Sequence, residues 1–157
     1  MSGTPRQTVI RVRDLCVEDL DDVVRIDSLH TGENKPEYWD EVMRDFLGGR
    51  PGSNRIGLAA EEGQKLIGYL LGEVRAFEFG SDACGWVFAV GVDPGSLLGG
   101  VASTLLRETC RRFRELGVAK VRTMVRRNSV DVLSFFRANG FVGGSFVQLE
   151  LDLEEQA

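Results

Sequence analysis

Residues Val90 to Ala102 carry the end of an apolar run at Asp93-Pro94, a glycine-containing turn, and the opening of the longest helical pattern in the chain. The order is strand, glycine turn, helix start. First-turn N–H groups of a helix lack internal partners and sit at the positive end of its dipole. Glycine lets a bulky anion approach such backbone closely. The segment therefore reads as a cradle for a phosphate-bearing ligand, against the plainer reading of a packing joint. Other residues able to do chemistry are sparse. Glu73 stands among Leu70, Leu71 and Val74, where burial would raise a carboxyl pKa toward that of a useful proton acceptor. A salt-bridged strand residue is its plainer reading. Glu33, Glu78 and Asp82 are weaker candidates in loops. The single histidine, His30, follows a helix end in a polar loop and reads as a surface residue. Cys84 lies beside Gly85-Trp86 with no histidine placed to activate it, so it reads as a buried thiol. Cys16, Cys84 and Cys110 are odd in number and dispersed, which argues against a disulfide framework and, with one histidine, against a transition-metal site.

The elements that must position these groups follow from periodicity. Val9 to Arg13 alternates as a strand, and Val17 to Ile26 has helical spacing with Asp19, Asp21 and Asp22 early, where the dipole favours acids. Pro36 starts a second helix running to about Leu47, in which Tyr38 and Trp39 either pack into the core or line a pocket. Gly48-Gly49-Arg50-Pro51-Gly52 breaks the chain. Ile56 to Glu61 and Lys65 to Arg75 form a hairpin about Glu62-Gly63-Gln64. Trp86 to Val92 is nearly all apolar and is expected to be a central strand buried on both faces. Val101 to Leu116 is the long helix and Gly117 its stop; Val121 to Val125 is a strand. A short helix capped by Asn128 or Ser129 runs to about Asn139, and Phe146 to Leu153 alternates as a last strand. The order is β-α-α-β-β-β-α-β-α-β, a mixed α/β arrangement expected to form one domain over residues 1–157.

The 157 residues are 43% hydrophobic and 27% charged, as in an ordinary globular domain. The polar start lacks a signal-peptide core, and no apolar run would cross a bilayer; the expected location is the cytoplasm, with no membrane partner. The net charge of −5 is unevenly spread. Residues 1–100 carry 10 basic and 17 acidic side chains; residues 101–140 carry 9 basic and 3 acidic. A solvated helix face explains most of this. The sharper reading sets the basic part, with Arg111, Arg112 and Arg137, toward an anionic ligand and the acidic part toward a cationic one. Nucleic acid is disfavoured by a pI of about 5.0 and by the lack of aromatics among the arginines.

Four stretches together resemble the GNAT superfamily of acyl-CoA-dependent N-acyltransferases, over almost the whole chain. They are Ile10 to Leu20, Lys65-Leu66-Ile67-Gly68-Tyr69, Gly91-Val92-Asp93-Pro94, and Asn128 with Phe135-Phe136-Arg137-Ala138-Asn139-Gly140-Phe141. Pro36-Glu37-Tyr38-Trp39 and Glu78-Phe79-Gly80 resemble a bacterial branch of it. The resemblance implies a mixed, mostly antiparallel central sheet flanked by helices. It implies transfer of an acetyl group from acetyl-CoA to a primary amine of a small molecule or protein, by direct attack. Main-chain groups of Val90 and Val92 would hold the pantetheine arm, and the N–H near Val90 would stabilise the oxyanion. The turn Leu97, Leu98, Gly99, Gly100, Val101 and Ala102 would hold the pyrophosphate. Asn128 would bond the pantetheine amides or simply cap a helix, and Phe136 would border the thiol. The amine must lose a proton before attack, and Glu73 is the preferred base. Many members pair as homodimers; the sequence is compatible with that and does not decide it.

Two departures stand out. Leu97 replaces the usual Arg or Gln and Leu98 a frequent Gly, so either the turn differs or a leucine is strained at positive φ. Phe136 replaces a frequent Tyr and cannot protonate a thiolate. These departures motivate the alternatives of a non-catalytic acyl-CoA-binding or regulatory module, or a degenerate fold kept for protein interaction.

Overall fold

A computed structural model describes residues 9–47, 54–76 and 79–155. The Gly48–Gly52 break and Glu78 lie outside them. The chain divides into two compact units, residues 1–124 and 125–157, taken in turn.

The first unit holds β1 (Arg11–Asp14), a 3-10 turn (Val17–Asp19), α1 (Leu20–Thr31), α2 (Pro36–Leu47), β2 (Arg55–Glu62), β3 (Lys65–Arg75), β4 (Cys84–Val92), α3 (Val101–Glu115) and β5 (Val121–Thr123). The sheet order is β1-β2-β3-β4-β5. Pairing is antiparallel except for the parallel β4–β5 ladder. This is the expected mixed, mostly antiparallel sheet with flanking helices, with five strands among the described residues where six were expected. The first helix begins later than its periodicity suggests. Asp19 accepts the Cys16 N–H at 2.9 Å and two Arg13 guanidinium N–H groups at 2.8 Å, which holds Val17–Asp19 as a tight turn. Arg13 also donates to Glu61 at 2.9 Å, so one cation ties β1, the turn and β2 together.

Consecutive strand residues face opposite sides of the sheet. Tyr69 joins Val23, Ile26, Trp39, Met43 and Leu71 in the core under α1 and α2. Gly68 faces α3, where an added Cβ would stand 2.9 Å from Val101 and 3.3 Å from Leu105. Phe113 of α3 is fully buried, and its ring lies so close to Gly85 that a Cβ there would approach it to 2.5 Å. Close packing of helix on sheet needs glycine at that point.

The expectation that Trp86 to Val92 is buried on both faces is corrected: Val87 and Gly91 are buried, Trp86, Ala89, Val90 and Val92 are partly exposed, and Phe88 is 49% exposed. The cause is a bulge: Leu71 pairs with Ala89 and Gly72 with Val87, leaving Phe88 as an extra residue turned out of register.

The second unit contains α4 (Val130–Ala138). Phe136 is buried, with Phe135 and Phe141 edge-on at 5.0 Å each. Gly140, at φ +89°, reverses the chain, and the Phe141 N–H returns to the Phe136 carbonyl at 3.0 Å. The Phe-Phe-Arg-Ala-Asn-Gly-Phe run is thus a helix end folded onto its own aromatics. The last strand expected over Phe146 to Leu153 is corrected: that segment forms no strand, and Val147, Leu149, Leu151 and Leu153 are exposed. Alternation prescribes which face is apolar but supplies no neighbouring edge to pair with.

Candidate functional site

The candidate site begins at the end of β4. The β4–β5 ladder pairs Gly85 with Val121, Trp86 with Arg122 and Val87 with Thr123, and the Thr123 hydroxyl donates to the Val87 carbonyl at 2.8 Å. No ladder continues on that edge beyond Val87 among the described residues. On the other edge the Asp93 N–H reaches the Ile67 carbonyl of β3 at 2.8 Å. Alternate residues of a strand turn their N–H and C=O to opposite edges. Val90 and Val92 therefore direct theirs away from β3, toward the open edge. His30 meets one of these groups, its Nε2–H donating to the Val92 carbonyl at 2.6 Å. A carbonyl only accepts, so this contact fixes the tautomer. His30 lies in the last turn of α1 rather than in the expected loop.

Asp93 then shapes the turn. Its Oδ1 accepts the Gly95 N–H at 2.8 Å and its carbonyl accepts the Ser96 N–H at 3.0 Å. Its Oδ2 meets Arg25 of α1 at 2.8 Å and Lys65 of β3 at 3.6 Å. The Arg25 guanidinium and the Gly95 N–H hold this buried carboxyl below its ordinary value. Sequence reasoning missed this pair, because its partners lie 68 residues apart.

The expected phosphate cradle follows. Leu97 is 99% exposed. The Leu98 N–H is not free as expected: it donates to Ser96 Oγ at 3.3 Å. Neither leucine takes a positive φ. The left-handed position falls on Gly100, at φ +77°, so the turn differs and no leucine is strained. Gly100 is also the N-cap of α3, without a side-chain cap and with no acid in the first turn. The first bond of the helix runs from the Thr104 N–H to the Gly100 carbonyl at 2.9 Å, downstream of the N–H groups of Val101 and Ala102. An added Cβ at Gly99 or Gly100 meets nothing within 4 Å. The result is an open, uncapped helix start, whose partial positive charge suits an anion.

The basic face of α3 is largely spent internally. Arg111 and Arg112 both bind Glu108, holding its carboxyl down to about 2, and Arg112 also pairs with Asp14. Neither is a spare phosphate ligand. Arg137 is exposed on α4. Asn128 is exposed too, and the N-cap of α4 is Ser129, with no side-chain cap bond.

Glu73 is 18% exposed, its two oxygens drawn to Arg75 at 2.8 Å and Arg55 at 3.7 Å. It stands three residues along β3 from Leu70, the register partner of Val90. That is roughly 10 Å of extended chain, too far for a direct hydrogen bond to a group held at Val90. Cys84 is buried, as expected. Glu33 and Asp82 are exposed.

Solved structures share this fold. Aminoglycoside N-acetyltransferase AAC(6')-Iy in complex with CoA matches with a TM-score of 0.81 at 14% identity, covering 96% of this chain and 99% of that one. Aminoglycoside 6'-N-acetyltransferase AAC(6')-Ih from Acinetobacter baumannii matches at 0.77 and 14%, covering 92% and 99%. A transcriptional regulator from Bacillus halodurans C-125 matches at 0.76 and 16%, covering 92% and 100%. No curated protein matches the sequence. Residues 20–141, more than half of the chain, match the acetyltransferase (GNAT) family, and the protein belongs to that family.

Proposed function

We propose that the protein is an acetyl-CoA-dependent N-acetyltransferase acting on a primary amine. The observation that carries this is one continuous run of main chain. The unladdered edge of β4 at Val90 and Val92 leads through the Asp93 turn into the uncapped start of α3 at Gly99, Gly100, Val101 and Ala102. An extended amide-bearing arm suits the first part, and a diphosphate suits the second. The family match crosses both compact units, which supports reading residues 1–157 as a single N-acetyltransferase domain.

In this reading acetyl-CoA supplies an activated thioester. The Val90 N–H is aimed to stabilise the negative charge that develops on its carbonyl oxygen as the amine attacks. The N–H groups of Val101 and Ala102 hold the pyrophosphate, with Leu97 and Leu98 contributing backbone shape. Asn128 bonds the pantetheine amides, and Phe136 borders the thiol without donating a proton. The ammonium must be deprotonated before attack, and Glu73 takes that proton through intervening water, given its distance along β3.

A thermal-shift titration with acetyl-CoA tests donor binding, and release of free thiol across a panel of amines tests turnover. One observation favours a second reading, an acyl-CoA-binding module without turnover: the Leu98 N–H is already engaged and Leu97 brings no charge. Stabilisation by acetyl-CoA with no thiol release from any amine would select it.

A further inference from the structure

The Val92 carbonyl faces the edge of β4 that no strand covers among the described residues, yet it is not bare. His30 of α1 donates to it through Nε2–H at 2.6 Å, across 62 residues of sequence. A carbonyl on an open edge ordinarily takes an N–H from another strand, from a ligand or from water. Here an imidazole N–H stands in that place.

The bond is not needed to hold α1. Val23 and Ile26 of the same helix are fully buried in the core. Arg25 ties the helix to the residue after Val92, through its 2.8 Å contact with buried Asp93. The buried side of α1 therefore fixes it against this strand end. His30 is on the exposed side, in the last turn, two residues before Gly32 ends the helix at φ +75°. Val92 is itself partly exposed. Among the described residues, the bond to Val92 is the one hydrogen bond that the His30 side chain makes. Rotation of an exposed side chain is fast, and no packing holds this ring in place.

We propose that His30 is an internal stand-in for the acyl donor: its ring N–H occupies the Val92 carbonyl that an amide N–H of the pantetheine arm would take, and the donor binds by displacing it. This rests on the acetyltransferase reading above. Imidazole and arm offer equivalent N–H groups to one acceptor, so binding exchanges one hydrogen bond for another instead of adding one. The ligand is thereby divided. Its diphosphate meets the uncapped start of α3 whether or not the ring has moved, while its arm competes with the ring. His30 thus weakens donor binding through the arm alone.

The test is calorimetric titration of the full, untagged chain with acetyl-CoA and with adenosine 3'-phosphate 5'-diphosphate, which has the diphosphate but no arm. His30→Ala should bind acetyl-CoA about fivefold more tightly than the parent, the worth of one net hydrogen bond, and the armless nucleotide within about twofold of it. Loss of a merely structural contact would not tighten binding. His30→Gln, whose amide N–H can reach the same carbonyl, should return acetyl-CoA affinity toward that of the parent. The chain has one histidine, so the nitrogen resonances of a labelled imidazole report on this ring alone. They should show the Nε2–H tautomer in the free protein, shift with acetyl-CoA and stay in place with the armless nucleotide. Unchanged or weaker acetyl-CoA binding in His30→Ala, equal tightening of both ligands, or imidazole signals unmoved at saturation would overturn the proposal. If acetyl-CoA binds parent and His30→Ala alike, the stand-in falls and the donor reading remains; if it binds neither, both fall.

Discussion

Between Gly85 and Val87, β4 has a strand on each edge; between Ala89 and Val92 it pairs, among the described residues, with β3 alone. The first half is buried against Phe113 of α3, while the second carries the bulge, the half-exposed Phe88 and the open edge at Val90 and Val92. One strand thus serves two ends. Its paired half contributes packing energy, while its unpaired half gives the Val92 carbonyl to His30 of α1 and leaves Val90 off any ladder on that edge. In the proposed reading, the edge offered to the acyl donor is made by interrupting a ladder that is secure a few residues away.

Substitutions can separate the two halves. The largest effect is expected at Phe113→Ala, which should lower stability by about 3–5 kcal/mol in denaturant unfolding, as for a large buried aromatic. Gly85→Ala comes next. Its Cβ would press on the Phe113 ring at 2.5 Å, and overpacking of this kind costs about 1–3 kcal/mol. Both should leave acetyl-CoA affinity of the folded protein within about twofold, because neither touches the open half; a large loss of affinity would break the distinction.

Arg25→Ala strikes the joint between the halves and the turn. It strips the buried Asp93 of its closest cation, and about 1–3 kcal/mol should be lost. The sign of the accompanying pH effect is fixed. The Asp93 carboxyl lies below its ordinary value of 3.8 in the folded state. It therefore contributes stability above that value, which is lost as pH falls through the folded pKa. The difference in melting temperature between the parent and Asp93→Asn should shrink as the solution is acidified below about pH 4. A difference constant across that range would show that Asp93 is not the group responsible.

Local pattern carried much of this. The hairpin, α2 and α3 match their periodicity because each is specified by its own residues: Pro36 at a first helical turn, Gly63 at a tight turn, Gly117 at a helix end. The glycine turn and uncapped helix start were legible for the same reason. Phe146 to Leu153 shows the limit, since alternation without a partner is not a strand. His30 and the Arg25–Asp93 pair were illegible for a different cause. Their importance comes from α1 being laid against β4 and from α1 meeting α2 and β3, contacts between segments 62 and 68 residues apart in the case of His30 and Arg25. No period records such a meeting. Glu73 looked buried because its neighbours are apolar, yet the fold supplies Arg75 and Arg55 at its two oxygens.

Gly99→Trp should have the smallest effect on the free protein and the most decisive one on the account. Gly99 does not take a positive φ, and an added Cβ there meets nothing within 4 Å. Stability should change by less than about 0.5 kcal/mol, while the indole fills the space before the start of α3. The measurement is a thermal-shift titration of the parent and this variant with acetyl-CoA. The parent should be stabilised, by roughly 2.7 kcal/mol at about a hundred times its Kd, and the variant should melt at the same temperature with and without ligand. An equal shift in both proteins, or none in the parent, would contradict the assignment of this strand end and helix start to the acyl donor.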